Sequence, residues 1–200
     1  MSFIKKRWQK YKSNKRWWSI ALDFIFLALI VAMIFPASRK EVSAFLVRQT
    51  LLSPRASSNT TFLSDDDWSF RLVENNGEVV ELSDLKGAPI FVNYWATWCP
   101  PCIAEMPSIQ NLYDNYNGKV HFLFINNEDP TVVRSFMDKH GYELPLHNIV
   151  GRIPDLFETS TLPTTIVISP KGRVVLYKTG AARWDSNKMF KMMDEMIENK

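Results

Sequence analysis

Cys99 and Cys102 are the only cysteines of this 200-residue chain, and they stand two residues apart in WATWCPPC, residues 95–102. Four chemistries use cysteines so placed. A structural zinc site normally takes four ligands, and the chain adds only three scattered histidines, His121, His140 and His147. Covalent haem attachment needs C-x-x-C-H, whereas Ile103 follows Cys102. A structural disulfide across two residues closes a small loop and stabilises little. The fourth reading is a redox dithiol at a helix start. An apolar strand pattern runs into Cys99, and a helix beginning there offers unpaired N–H groups and a positive dipole end to a thiolate. Pro100 and Pro101 are tolerated in a first turn and stiffen it. The Cys99 thiolate would attack a partner's disulfide, and Cys102, one turn deeper, would resolve the mixed disulfide. That geometry predicts an exposed first cysteine and a buried second one.

Three further residues could serve this pair. Glu105 lies three positions after Cys102, on a neighbouring helix position. It is either a partly buried carboxyl of raised pKa that exchanges protons with the thiols, or a solvated first-turn acid favoured by the dipole. Asn93 stands among apolar neighbours in the preceding strand pattern, which makes it an inward-facing polar candidate. Pro163 opens the strand pattern TLPTTIVIS, as a proline in a sheet must. A cis Leu162–Pro163 bond would leave the Leu162 backbone free to pair with an extended peptide, although cis is the minority state at about 5–6% of X–Pro bonds.

The elements that would position these residues alternate. WSFRLVENNGEVVELSDLKG reads as two short strands around Asn75–Gly77. The run from Ala88 and KVHFLFINNE from Lys119 read as strands buried on both faces. Helices are expected from the cysteines to about Tyr116, with a kink at Pro107, and over Pro130–His140. A hairpin turning at Pro170-Lys171-Gly172 and an amphipathic helix from Trp184 to Glu198 close the chain. This pattern predicts an α/β fold, a central mixed β-sheet flanked by helices.

The composition, 46% hydrophobic and 22% charged, is globular. A domain of roughly 130 residues buries a core without disulfide staples. Net charge is +3, but seven basic residues lie between Lys5 and Arg16, leaving 17 basic against 21 acidic elsewhere. The basic pI therefore belongs to the N-terminal tail and argues little for nucleic-acid binding. WWSIALDFIFLALIVAMIF, Trp17–Phe35, follows. Nineteen helical residues span about 28 Å, close to the hydrocarbon thickness, and Trp17 and Trp18 stand where an interfacial aromatic belt is expected. Asp23 is the one acid, read as a tolerated polar residue rather than a functional one. The apolar run is too long for an ordinary signal peptide, and FPASRK offers no good cleavage site. The expected organisation is a basic cytoplasmic tail (1–16), a transmembrane anchor (17–36), a tether (37–64) and a soluble domain (65–200). The charge bias puts the N-terminus in the cytoplasm. The C-terminal domain then faces the periplasmic or extracytoplasmic side of a bacterial inner membrane. Within the tether, Glu41–Leu52 has roughly helical apolar spacing and Ser53–Thr61 reads as a linker.

Three motifs in order, LSDLKGAPIFVNYWATWCPPCIAEMP, FLFINNED and TLPTTIVISPKG, resemble the thioredoxin superfamily, specifically its membrane-anchored TlpA/ResA-type thiol–disulfide oxidoreductases. The resemblance covers about residues 66–198. It implies a thioredoxin-like fold, a cis Pro163 facing the dithiol, and Glu105 assisting proton transfer. Cys99, Cys102 and Glu105 are then the expected catalytic residues, and Trp98, Pro100, Pro101, Leu162 and Pro163 the expected substrate-facing ones. No metal and no cofactor beyond the redox-active Cys99–Cys102 disulfide is expected. Two departures stand out. Asn93 occupies the position of thioredoxin's buried aspartate, and ETSTL before Pro163 lacks the glycine often found there. Peroxiredoxins share the fold but want Pro seven and Thr three residues before the reactive cysteine; these are Val92 and Ala96 here, so peroxidase activity is not expected. The resemblance favours a reductant of protein disulfides fed by a membrane thiol carrier, with apocytochrome c cysteine pairs as candidate substrates. A disulfide-forming oxidant and a non-catalytic binding module with a structural disulfide are the alternatives.

Overall fold

Among its 18 residues, helix α1 (Trp17–Ile34) has only Ser19 and Asp23 outside the apolar and aromatic set. The computed structural model describes residues 17–34, 36–55 and 61–198, in two units that divide between Val42 and Ser43. Among the described residues no helix is long and apolar enough to cross a membrane. The basic tail, Phe35, and several side chains at the C-terminal end of α1 lie outside that set, as does part of the linker, residues 56–60.

Helix α2 (Pro36–Arg48) leads into the second unit. There Ala44 is buried against Ile103 and Ala104, with Val47, Leu51 and Phe136 beside them. The Arg183 N–H donates to the Leu52 carbonyl at 3.0 Å, and the hydroxyls of Ser53 and Ser186 are 2.7 Å apart. These contacts tie residues 44–53 to the globular unit. Helix α3 (Asp65–Trp68) is a single turn closed by a capping box. Ser64 Oγ accepts from the Asp67 N–H, and the Asp67 carboxylate accepts from the Ser64 N–H.

Strands β1 (Arg71–Glu74) and β2 (Val79–Glu81) form the expected hairpin, with Gly77 at φ 87° in the turn. After β3 (Ile90–Tyr94) come helix α4 (Pro100–Tyr116), strand β4 (His121–Ile125) and helix α5 (Pro130–His140). Strands β5 (Leu146–Val150), β6 (Thr164–Ile168) and β7 (Val174–Thr179), then helix α6 (Asn187–Glu198), complete the chain. One seven-stranded sheet runs β2-β1-β5-β4-β3-β6-β7. The pairs β3–β4 and β4–β5 are parallel, the other four antiparallel. The mixed sheet is the one the alternating pattern predicts. Strand β5 is an addition to that reading, joining the β1–β2 hairpin to the parallel centre.

Period-two alternation in the central strands builds two cores. Phe91, Phe122, Phe124 and Val167 face a cluster with Met106, Ile109, Leu112, Trp184 and Met193. Ile90, Val92, Leu123, Ile125, Ile166 and Ile168 face the other, with Phe70, Leu72, Leu82 and Phe157. Burying one such side chain contributes roughly 1.5–3 kcal/mol, so the two layers hold β3, β4 and β6 rigidly. Their shared end carries the site.

Candidate active site

Strand β3 stops at Tyr94 because the chain must turn. The Cys99 N–H donates to the Ala96 carbonyl at 3.2 Å, closing a turn with Thr97 and Trp98 at its centre. Cys99 is the N-cap of α4, with Pro100 and Pro101 in the first turn. Proline has no N–H to lose there. Cys99 and Cys102 form a disulfide, and the Cys102 N–H donates to Cys99 Sγ at 3.3 Å. That contact is the helix N-terminus acting on the first sulfur. Cys99 keeps 4% of its surface and Cys102 none. The order of exposure matches the sequence expectation, but the first cysteine is far more enclosed than expected. The disulfide holds its sulfur back over the helix start, and the exposed residue of the turn is Trp98, at 57%.

Pro163 stands just before β6 and follows a cis peptide bond from Leu162. Register brings it to the dithiol end of the sheet, since Thr164 pairs with Tyr94. Trp98 and Leu162 line one cleft of about 460 Å³, with Trp95, Ile153, Phe157 and Glu158 among its other walls. The structure therefore brings together Trp98, Cys99, Pro100, Pro101, Cys102 and the Leu162–Pro163 segment. Helix α4 continues through Pro107 to Tyr116.

Glu105 is fully buried on α4, one turn after Cys102. Its carboxyl is caged by three donors. Asn93 Nδ2 reaches Oε1 at 3.0 Å; the Ala182 N–H and Trp184 Nε1 reach Oε2 at 3.0 and 2.9 Å. Burial pushes its pKa up to about 7, while the hydrogen bonds from Trp184, Ala182 and Asn93 and the charge of Lys178 pull the other way. Desolvation wins because the carboxylate form loses its water and gains only three neutral donors. The solvated first-turn reading of Glu105 is thereby overturned. Asn93 is buried, as its apolar neighbours suggested, and its Nδ2 also donates to Thr165 Oγ1 at 2.9 Å. Its Oδ1 has no partner among the described residues.

The sequence reading missed Trp184 and Ala182 as partners of this carboxyl. Trp184 was expected to start the last helix, yet α6 begins at Asn187 and Trp184 lies in the loop before it, fully buried. A tryptophan ahead of an amphipathic stretch was the available signal, but nothing local says that its indole N–H turns inward.

A model of the AhpC/TSA family matches residues 63–177. Thiol-disulfide oxidoreductase ResA of Bacillus subtilis (strain 168) is 39% identical over 115 residues, which cover 56% of this chain and 64% of that protein. The match thus spans just under two thirds of that relative. Thiol-disulfide oxidoreductase ResA of Oceanobacillus iheyensis is 32% identical over 185 residues, 88% of each chain. The crystal structure of a thiol:disulfide interchange protein from Chlorobium tepidum TLS, a thioredoxin family protein, superposes with a TM-score of 0.53. It is 24% identical and covers 71% of this chain and 99% of that one, a likeness of fold. The expected thioredoxin-like α/β architecture is thus present.

Proposed function

Since the chain belongs to the thioredoxin-like AhpC/TSA family, and within it to the ResA-type thiol–disulfide oxidoreductases, we propose that it reduces disulfides of proteins on the extracytoplasmic face of a membrane, held there by α1. The observation that carries this reading is the Cys99–Cys102 pair at the α4 N-terminus, with a caged carboxyl of pKa about 7 one turn behind it.

In the reduced protein the Cys99 thiolate, stabilised by the helix start, attacks one sulfur of a substrate disulfide. The Cys99–substrate bond forms and one substrate thiolate leaves. Cys102, deprotonated, then attacks Cys99 Sγ and releases the second substrate thiolate. Two electrons pass to the substrate and the Cys99–Cys102 disulfide remains. Glu105 takes the Cys102 proton in the resolving step and returns it on reduction. A carboxyl that titrates near neutrality has the right driving force for both directions. Trp98, Pro100, Pro101, Leu162 and Pro163 form the surface against which the substrate lies. A membrane thiol carrier resupplies the two electrons, and cysteine pairs of apocytochrome c are the candidate substrates. The seven basic residues ahead of α1 favour a cytoplasmic N-terminus.

The test is the reduction potential of the Cys99–Cys102 couple in the full chain, from equilibration with thiol buffers. A value near or below about −270 mV fits a reductant; one near about −120 mV makes the protein a donor of disulfides and reverses the direction. Labelling of an engineered exposed cysteine with a membrane-impermeant maleimide in intact cells tests the sidedness.

A further inference from the structure

One carboxylate near the dithiol has no part in the proton chemistry above. Glu128 lies in the loop after β4, and both its oxygens turn to the residue at the centre of the turn that presents Cys99. Oε2 accepts from the Thr97 N–H at 2.6 Å, and Oε1 accepts from the Thr97 hydroxyl at 2.7 Å. The carboxylate is itself held. Asn126 Nδ2 donates to Oε2 at 3.0 Å, and Asn126 Oδ1 accepts from the Glu128 N–H at 2.6 Å. Asn126 is buried at the end of β4, and its N–H donates to the His147 carbonyl of β5 at 3.1 Å. A chain of hydrogen bonds therefore runs from the sheet through Asn126 and Glu128 to Thr97.

The turn needs such a hold. Its other central residue, Trp98, is exposed, and among the described residues the turn is otherwise closed by the bond from the Cys99 N–H to the Ala96 carbonyl. Charge-assisted bonds of this length are the stronger kind, and fixing a reacting group in its attack position is worth large factors in rate. Glu128 also borders the cleft that Trp98 and Leu162 line.

We propose that Glu128 is a positioning residue of the exchange reaction: its carboxylate clamps Thr97 and so holds Trp98 and Cys99 in the geometry from which Cys99 meets a substrate disulfide. This rests on the proposed dithiol chemistry. It assigns the restraint on the reactive cysteine to a residue 29 positions downstream of it, outside every motif that carries the resemblance except the end of FLFINNED.

The clamp makes a specific demand. Only the oxygen facing the Thr97 N–H and Asn126 must be an acceptor; a hydroxyl both donates and accepts. Glu128→Gln can therefore keep all the contacts, its amide nitrogen donating to Thr97 Oγ1, while losing the charge. Glu128→Ala loses everything. The experiment uses the full chain and two readouts: reduction of a disulfide-bonded peptide as kcat/KM, and the pH profile of iodoacetamide alkylation of Cys99 in the reduced protein. Thermal melts of each variant report folding. Glu128→Ala should lower kcat/KM by about tenfold. Glu128→Gln should restore most of it, and its alkylation profile should shift to lower pH, because a negative charge near the thiolate is gone. Wild-type rates in Glu128→Ala, or a Glu128→Gln variant as slow as Glu128→Ala, would overturn the clamp. Failure of the wild-type protein itself to exchange would instead overturn the proposed function.

Discussion

Replacing Glu105 with glutamine should change how stability depends on pH more than it changes stability itself. The folded carboxyl titrates at about 7, against an ordinary value of 4.5. Between those values the folded chain keeps a proton that the unfolded chain has released. Unfolding then releases a proton, and stability falls as pH rises. The contribution is fully present below about pH 4.5 and is lost through about pH 7. At about 1.4 kcal/mol per unit, the span is about 3 kcal/mol. Glutamine imitates the protonated form. Its oxygen can stay on the Ala182 and Trp184 side, where two N–H donors converge. Its NH₂ would then face Asn93 Nδ2, a donor against a donor, unless the Asn93 amide turns over. Turning it brings the partnerless Oδ1 toward the new donor and lets the Thr165 hydroxyl donate to it as well. The substitution is therefore tolerated. The assay is urea unfolding of the oxidised full chain at pH 5, 6, 7 and 8, with the slope checked for constancy. His147 contributes as well, since burial holds its pKa below the usual value. Its effect has the opposite sign, stability rising with pH, but it is common to both proteins and cancels in the difference. Over pH 5 to 8, most of that span, the variant should gain on the wild type by about 2.5 kcal/mol. A difference that stays flat from pH 5 to 8 would refute the buried-proton account.

Other outcomes follow from the same geometry. Cys102→Ser should accumulate a mixed disulfide with a disulfide-bonded protein on non-reducing gels, and Cys99→Ser should not, because only the first sulfur attacks the partner. The resolving rate of the wild type should break near pH 7, and the break should vanish in Glu105→Gln. Trp184→Phe removes a 2.9 Å donor that favours the Glu105 carboxylate, so that break should move to higher pH. Gly172→Ala forces a side chain onto a φ of 79° and puts its Cβ 2.8 Å from Trp68. It should cost about 1–3 kcal/mol in urea unfolding and perturb tryptophan fluorescence.

What the sequence made legible was whatever is encoded locally. The apolar runs of β3 and β4, the Asn-Asn-Gly and Pro-Lys-Gly turns, and the Pro130 helix start each carry their own signal, and each stands as read. Strand β5 does not. Of LHNIV only His147 is buried, so neither an apolar run nor a clean alternation marks it. Its place comes from pairing β1 on one side and β4 on the other. The same division holds in the site. The C-x-x-C pair and Glu105 lie within seven residues of one another. The groups that set the state of Glu105 come from Asn93, Ala182 and Trp184, and the last two are 77 and 79 residues away. Glu128 reaches Thr97 across 31 residues. The packing of Ala44 on Ile103 and Ala104 was equally invisible, because a small residue on a short helix advertises no partner.

The enclosure of the oxidised pair has a consequence for traffic rather than for chemistry. With 4% of Cys99 and none of Cys102 open to solvent, a small thiol or oxidant meets almost no sulfur by random collision. A chain that lies along Trp98 and Leu162 is instead held beside the pair, at the dithiol end of the sheet. Exchange with small reagents is thereby slowed relative to exchange with a seated chain, and partners are sorted by whether they can seat beside the pair before their affinity for electrons is ever compared.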